Sequence, residues 1–171
     1  IFKNLDTFEL FYDVAFGAGG IYVVGHFQTA VKLGPSITLT PGAGSAEEGF
    51  VAQFSTTGTA LAAVQTVGNG GTIYLSHVAA TPSGVVVGGF LEPGNATFGG
   101  KPLVGTGAWI AALDLSNQVQ WAIPLQSGVG LQAIAANDTE LRVVGSFDKQ
   151  TSFCTSVLPV AGDKDAFVWG L

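Results

Sequence analysis

The sequence predicts an all-β chain made of three four-stranded units, each about 58 residues long. Composition is the first reason. The 171 residues include 25 glycines, many Val, Thr and Phe, no Met and only 11% charged residues, a mixture that disfavours helices and suits short strands joined by tight turns. The second is the pattern Val-Val-Gly-x-Phe, which starts at Val23, Val86 and Val143, with spacings of 63 and 57 residues. The third is an aromatic-bearing segment, "GFVAQF", "AWIAAL" and "AFVWGL", whose Phe50, Trp109 and Phe167 lie 59 and 58 residues apart. Self-similarity at a fixed period is the mark of a repeat architecture.

The elements of each unit follow in order. "YDVAF" (12–16), "SHVAA" (76–80) and "QAIAA" (132–136) supply a first strand. Turn residues follow, "GAGG", "TPSG" or "NDTE", and then the Val-Val-Gly segment returns as the second strand of a hairpin. The aromatic segment is the third strand, and "ALAAVQTV" and "VQWAIPL" provide a fourth after the turns "STTGT" and "DLSNQ". Several of these strands are apolar on both sides, as expected of sheets covered on both faces. Within the shared motif, Gly25, Gly88 and Gly145 are expected to end the strand through backbone freedom, and Phe27, Phe90 and Phe147 to plug between neighbouring sheets. The chain reads as a single repeat domain, 1–171, with units at 5–67, 68–125 and 126–171 and residues 1–4 as the tail of a preceding fourth strand.

Four-stranded units stacked face to face are the blades of a β-propeller. "VVGGF…ATFGGKPLVGTGAWIAALDLSNQVQWAIPL" (86–125) and "VVGSF…TSFCTSVLPVAGDKDAFVWGL" (143–171) resemble the glycine-rich repeats of bacterial secreted and surface proteins assigned to seven-bladed propellers. The first unit departs from that pattern, with "EEGFVAQF" in place of the acidic-aromatic start and no Trp in "ALAAVQTV". The resemblance implies a propeller fold and a secreted or cell-surface bacterial protein. Propellers close with about four to eight blades, so three are expected to belong to a larger ring or to an assembly of copies. A β-trefoil, which also has three repeats of four strands and commonly binds carbohydrate, is the alternative fold.

Several chemistries are excluded or disfavoured. Only six Lys and Arg and a formal charge of −6 argue against nucleic acid, and no apolar run reaches the ~18 residues of a spanning helix. Cys154 is the sole cysteine, so neither an intrachain disulfide nor a thiolate metal site can form, and it is expected to be a small buried hydrophobe beside Phe153. No secretion signal is recognisable after Ile1, so any such signal was removed or lies outside this sequence. His77 is expected to pack within its strand. His26 aligns with Gly89 and Ser146, so no recurring function requires an imidazole there. No Gly-x-Ser-x-Gly elbow or P-loop occurs. Asp163 with Asp165 reads as a solvated turn rather than a calcium loop, and Glu47–Glu48 as a polar loop before a buried strand. The sequons at Asn95 and Asn137 matter only in a eukaryotic secretory pathway. No catalytic residue, metal or cofactor is expected.

These readings converge on a non-catalytic scaffold or adhesion module that presents variable loops to a protein or glycan partner and associates with further blades or with copies of itself. The loops between second and third strands, residues 28–48, 91–107 and 148–164, are the least alike. His26, Glu92 and Asp148 stand at their entrances as candidate binding residues. A propeller fragment of a larger secreted enzyme is the alternative of another class.

Overall fold

The computed structural model describes residues 9–153 and 156–170. The "IFKNL" segment, Cys154 and Leu171 lie outside the described residues, and with them the expectations placed on Cys154 and on the N-terminal tail. Among the described residues the protein is all-β, with no helix and therefore none long and apolar enough to cross a membrane.

The strands form three antiparallel meanders. In the first, β1 (Glu9–Gly17), β2 (Gly20–Phe27), β5 (Glu48–Phe54) and β6 (Ala60–Gly68) pair in succession, and a small hairpin of β3 (Val31–Leu33) and β4 (Ile37–Leu39) is inserted after the second strand. The second runs β7 (Ile73–Thr81), β8 (Gly84–Phe98), β9 (Lys101–Asp114) and β10 (Val119–Pro124). Here the inserted hairpin is continuous with its parents, which reach 15 and 14 residues. The third is β11 (Val129–Ala136), β12 (Leu141–Phe147) and β15 (Asp165–Gly170), with the hairpin β13 (Thr151–Phe153) and β14 (Ser156–Leu158) at the same place. Residues 66–68 of β6 pair with 96–98 of β8, which joins the first two meanders into one eight-stranded sheet. That sheet runs open from β1 to β10.

The faces pack on one another, as doubly apolar strands require. Tyr22, Val24 and Val51 of the first meander share a core with Leu75, Val87 and Trp109 of the second. On its other side the second contributes Val86 and Ala108 to a core with Val143, Phe147 and Phe167 of the third. The β3–β4 hairpin covers part of the remaining face of the first meander, burying Val31, Leu33 and Leu39 over Phe27, Phe50 and Phe54. The first strands lie side by side, β1 against β7 and β7 against β11, and the Val78 amide donates to Asp13 Oδ2 across the first of these contacts at 3.0 Å.

A β-bulge interrupts each first-to-second strand pairing, between Phe11 and Asp13, Leu75 and His77, and Leu131 and Ala133. Opposite each lies a glycine that has no room for a side chain, because a Cβ on Gly25, Gly89 or Gly145 would collide with the carbonyl oxygen of Leu10, Tyr74 or Gly130. The same three glycines pair on their other side with Phe50, Trp109 and Phe167. The glycine therefore does not end the strand. β2 and β12 continue two residues beyond it to Phe27 and Phe147, and none of the three has a positive φ. Space at the bulge, rather than backbone freedom, selects glycine.

In β8 this role falls to Gly89 rather than Gly88. A Cβ on Gly88 would instead approach the Leu131 and Ile134 side chains at 2.7 Å. The one-residue offset carries through the strand. Leu91, 3% exposed, holds the buried place of Phe27 and Phe147, whereas Phe90 is half-buried and turned the other way.

Candidate functional site

The offset in β8 helps to build a cluster of rings at one end of the first two meanders. Tyr12 is the extra residue of the β1 bulge, His26 lies near the end of β2, and Tyr74 and Phe90 are direct cross-strand partners on β7 and β8. Tyr74 and Phe90 stack with centroids 5.8 Å apart and planes inclined by 21°. His26 lies 5.4 Å from Tyr12 and 6.2 Å from Tyr74, and the two tyrosines are 6.1 Å apart. The Tyr12 side chain is 46% exposed, whereas His26 is buried at 4%.

Two carboxylates flank these rings, and the backbone fixes both. The Glu47 carbonyl accepts from the Ile73 amide at 3.1 Å, and the Glu92 amide donates to the Thr72 carbonyl at 3.0 Å. Glu47, just before β5, and Glu92, in β8, thus arrive on either side of a two-residue stretch leading to Tyr74. The Gln28 amide donates to Glu47 Oε1 at 2.7 Å, and His26 Nε2 lies 3.9 Å from the same oxygen. His26 Nδ1 is buried without a hydrogen-bond partner. Burial, with Glu47 and Glu92 adding to it, pushes the Tyr74 phenol above its usual range. Tyr12 is raised by burial, then by Tyr74 and Glu47. Both phenols are therefore neutral hydrogen-bond donors at physiological pH.

The adjacent Glu48 points the opposite way, since alternate residues of a strand face opposite sides. It is fully buried, which corrects the expectation of a polar loop at Glu47–Glu48. The amides of Gly42 and Gly68 donate to its Oε1 at 2.8 and 3.3 Å, and Gln65 Nε2 donates to Oε2 at 3.0 Å. Glu48 therefore ties the loop before β5 to β6, a structural use of charge that satisfies a buried carboxylate.

The structure brings His26 and Glu92 together around Tyr74. Asp148 lies in an adjoining groove of about 290 Å³, lined also by Phe90, Thr106, Gly128 and Lys164. Phe90 belongs to both, so the rings lead from Tyr12 into that groove. Tyr12, Tyr74 and Glu47 are members that the sequence alone did not mark. A second groove of about 550 Å³ lies at the opposite end of β7 and β8 beside Trp121 and the turns at 81–84 and 137–140. Its polar groups are largely occupied by turn hydrogen bonds. Asp114 accepts from the Ser116 and Gln118 amides and from Gln120, Asn137 Oδ1 accepts from the Thr139 and Glu140 amides, and Glu140 pairs with Arg142.

His77 is half-buried next to Asp13, and burial lowers its pKa despite the opposing pull of that carboxylate. Among the described residues no group of three His, Cys, Asp or Glu side chains is placed to hold a metal ion. The cluster at Tyr74 offers ring faces, phenol donors and carboxylate acceptors, which are means of binding. No family model matches this chain, and no curated protein matches it.

Proposed function

We propose that this chain is a non-catalytic binding scaffold of propeller blades, secreted or displayed at a bacterial surface, that joins further blades or copies of itself and presents the ring cluster at Tyr74 to a protein or glycan partner. Each meander is read as one blade with its first strand innermost, and the face-to-face packing of the three supports that reading. An open sheet favours blades over a trefoil, which would close its strands into a barrel.

The observation that carries the association is the outermost apolar surface. On β1, Phe16 is 75% and Val14 50% exposed, and on β15 Val168 is 74% exposed. Isolated soluble domains avoid such faces and the unpaired strand edges beside them. The hairpins inserted after the second strands serve two roles in this reading. They brace the sheets through buried residues such as Leu33, Phe98 and Leu103, and their exposed tips, including residues 34–36 and 99–102, remain free for contact. Light scattering on the purified 171-residue chain tests the association. Oligomers whose mass falls on substitution of Phe16 by Ser are expected, and a folded monomer with native stability at micromolar concentration overturns the reading.

A further inference from the structure

We infer that the cluster formed by Tyr12, His26, Tyr74, Phe90, Glu47 and Glu92 is a receptor for the side-chain cation of a lysine or arginine on a basic segment of a partner protein. This inference rests on the binding-module reading above and names the chemistry of its partner.

The first argument is a pair of carboxylates that no lysine or arginine neutralises. Neither Glu47 nor Glu92 has a lysine or arginine at ion-pair distance among the described residues, where the ion pairs are His26 with Glu47 and Arg142 with Glu140. Backbone hydrogen bonds to Ile73 and Thr72 hold both residues beside the approach to Tyr74. Glu47 meets only the Gln28 amide and, at 3.9 Å, the His26 imidazole, which leaves the carboxylates open to a further cation. The chain as a whole carries −6, so a cationic segment is attracted from a distance as well as at the site.

The second is the ring arrangement. Three carbon rings, Tyr12, Tyr74 and Phe90, lie in sequence with centroids 6.1 and 5.8 Å apart, and a ring face attracts an ammonium or guanidinium group placed within ~6 Å of it. Tyr12 and Glu92 are exposed and Tyr74 and Phe90 half-buried, so the cation can reach the rings while its methylene stem lies along them. The third is His26. It packs beside both tyrosines, is nine-tenths buried, and leaves Nδ1 without a partner, a rarity in folded proteins that calls for a functional account. Its Nε2 lies 3.9 Å from Glu47 Oε1, so the imidazole joins the rings to the carboxylate.

The test is titration of the intact chain with tetralysine, read by the tyrosine resonances, beside its fully N-acetylated form and a neutral trisaccharide. Tetralysine is expected to shift Tyr12 and Tyr74, to weaken as salt is raised, and to bind roughly 3-fold less well to Glu92→Gln and to Tyr12→Leu. Asp138→Asn, which removes an exposed carboxylate in the β11–β12 turn of the third meander, is expected to bind as the parent does. An equal loss in Asp138→Asn would mean diffuse attraction and overturn the inference. Shifts of the same tyrosines by the trisaccharide and not by tetralysine would also overturn it, while leaving the binding-module reading standing. No shift from any probe would overturn this cation site alone, because the scaffold reading is decided separately by light scattering.

Discussion

β2 and β8 carry the same Val-Val-Gly-x-Phe pattern, and they use it differently. In β2 the glycine of the pattern faces the bulge and the phenylalanine is fully buried, with its ring 6.0 Å from that of Phe50. In β8 the bulge falls opposite the second of two glycines, so Leu91 goes inward and Phe90 turns out to stack on Tyr74. The difference teaches that a strand's register is set by its neighbour across the sheet. A close-approaching carbonyl selects which glycine it needs, and every side chain beyond follows. One residue of slip converts a packing position into part of a surface.

The largest effect expected from this contrast is in the two phenylalanines. Phe27→Ala should cost about 4 kcal/mol and Leu91→Ala about 3 kcal/mol, as buried apolar truncations do, whereas half-buried Phe90→Ala should cost about 1 kcal/mol. Denaturant titration of the three variants measures this. Equal losses at Phe27 and Phe90 would break the comparison.

The glycines sharpen it further. Gly89→Ala meets a backbone carbonyl that cannot move without opening the β7–β8 ladder, and should cost about 3 kcal/mol, near the upper end for overpacking. Gly88→Ala meets only the ends of the Leu131 and Ile134 side chains and should cost about 1 kcal/mol. Thermal melts of the pair decide it, and the reverse order would mean that Gly88, not Gly89, faces the close carbonyl.

The smallest effect lies just past the bulge, where β1 places Asp13 opposite Val24 and β7 places His77 opposite Gly88. Burial lowers the His77 pKa in the folded chain, so the unfolded chain takes up this proton more readily. The contribution of His77 is complete above about pH 6.5 and is lost as pH falls from there toward the depressed folded value. Stability curves at descending pH should therefore be shallower for His77→Gln than for the parent. An unchanged slope would show that Asp13 balances the burial.

Much of the strand order was legible because period and turn chemistry are local. "YDVAF" lies within β1, "LRVVGSF" is β12, and the aromatic segments fall on β5, β9 and β15. The bulge position in "VVGGF" was not, since either glycine satisfies the pattern and only the carbonyl of Tyr74 distinguishes them. Nor was burial of Glu48, because its charge argues for solvent until the amides of Gly42 and Gly68 are brought to it by the fold. Of the ring cluster, His26 and Glu92 stood out as loop entrances. Tyr12, Glu47 and Tyr74 looked like ordinary strand and loop residues, and their meeting depends on β1 packing against β7.

The short ladder between residues 66–68 and 96–98 bears on how the molecule comes apart. Because the long β8–β9 hairpin borrows its pairing from β6, opening either of the first two meanders also exposes backbone of the other, so they gain or lose their structure as one cooperative block. Among the described residues the β11–β12–β15 sheet has no such ladder and is held chiefly by side-chain packing on β7–β10. It can therefore peel away while the rest persists, leaving Val86 and Ala108 uncovered beside an intact Tyr74 cluster.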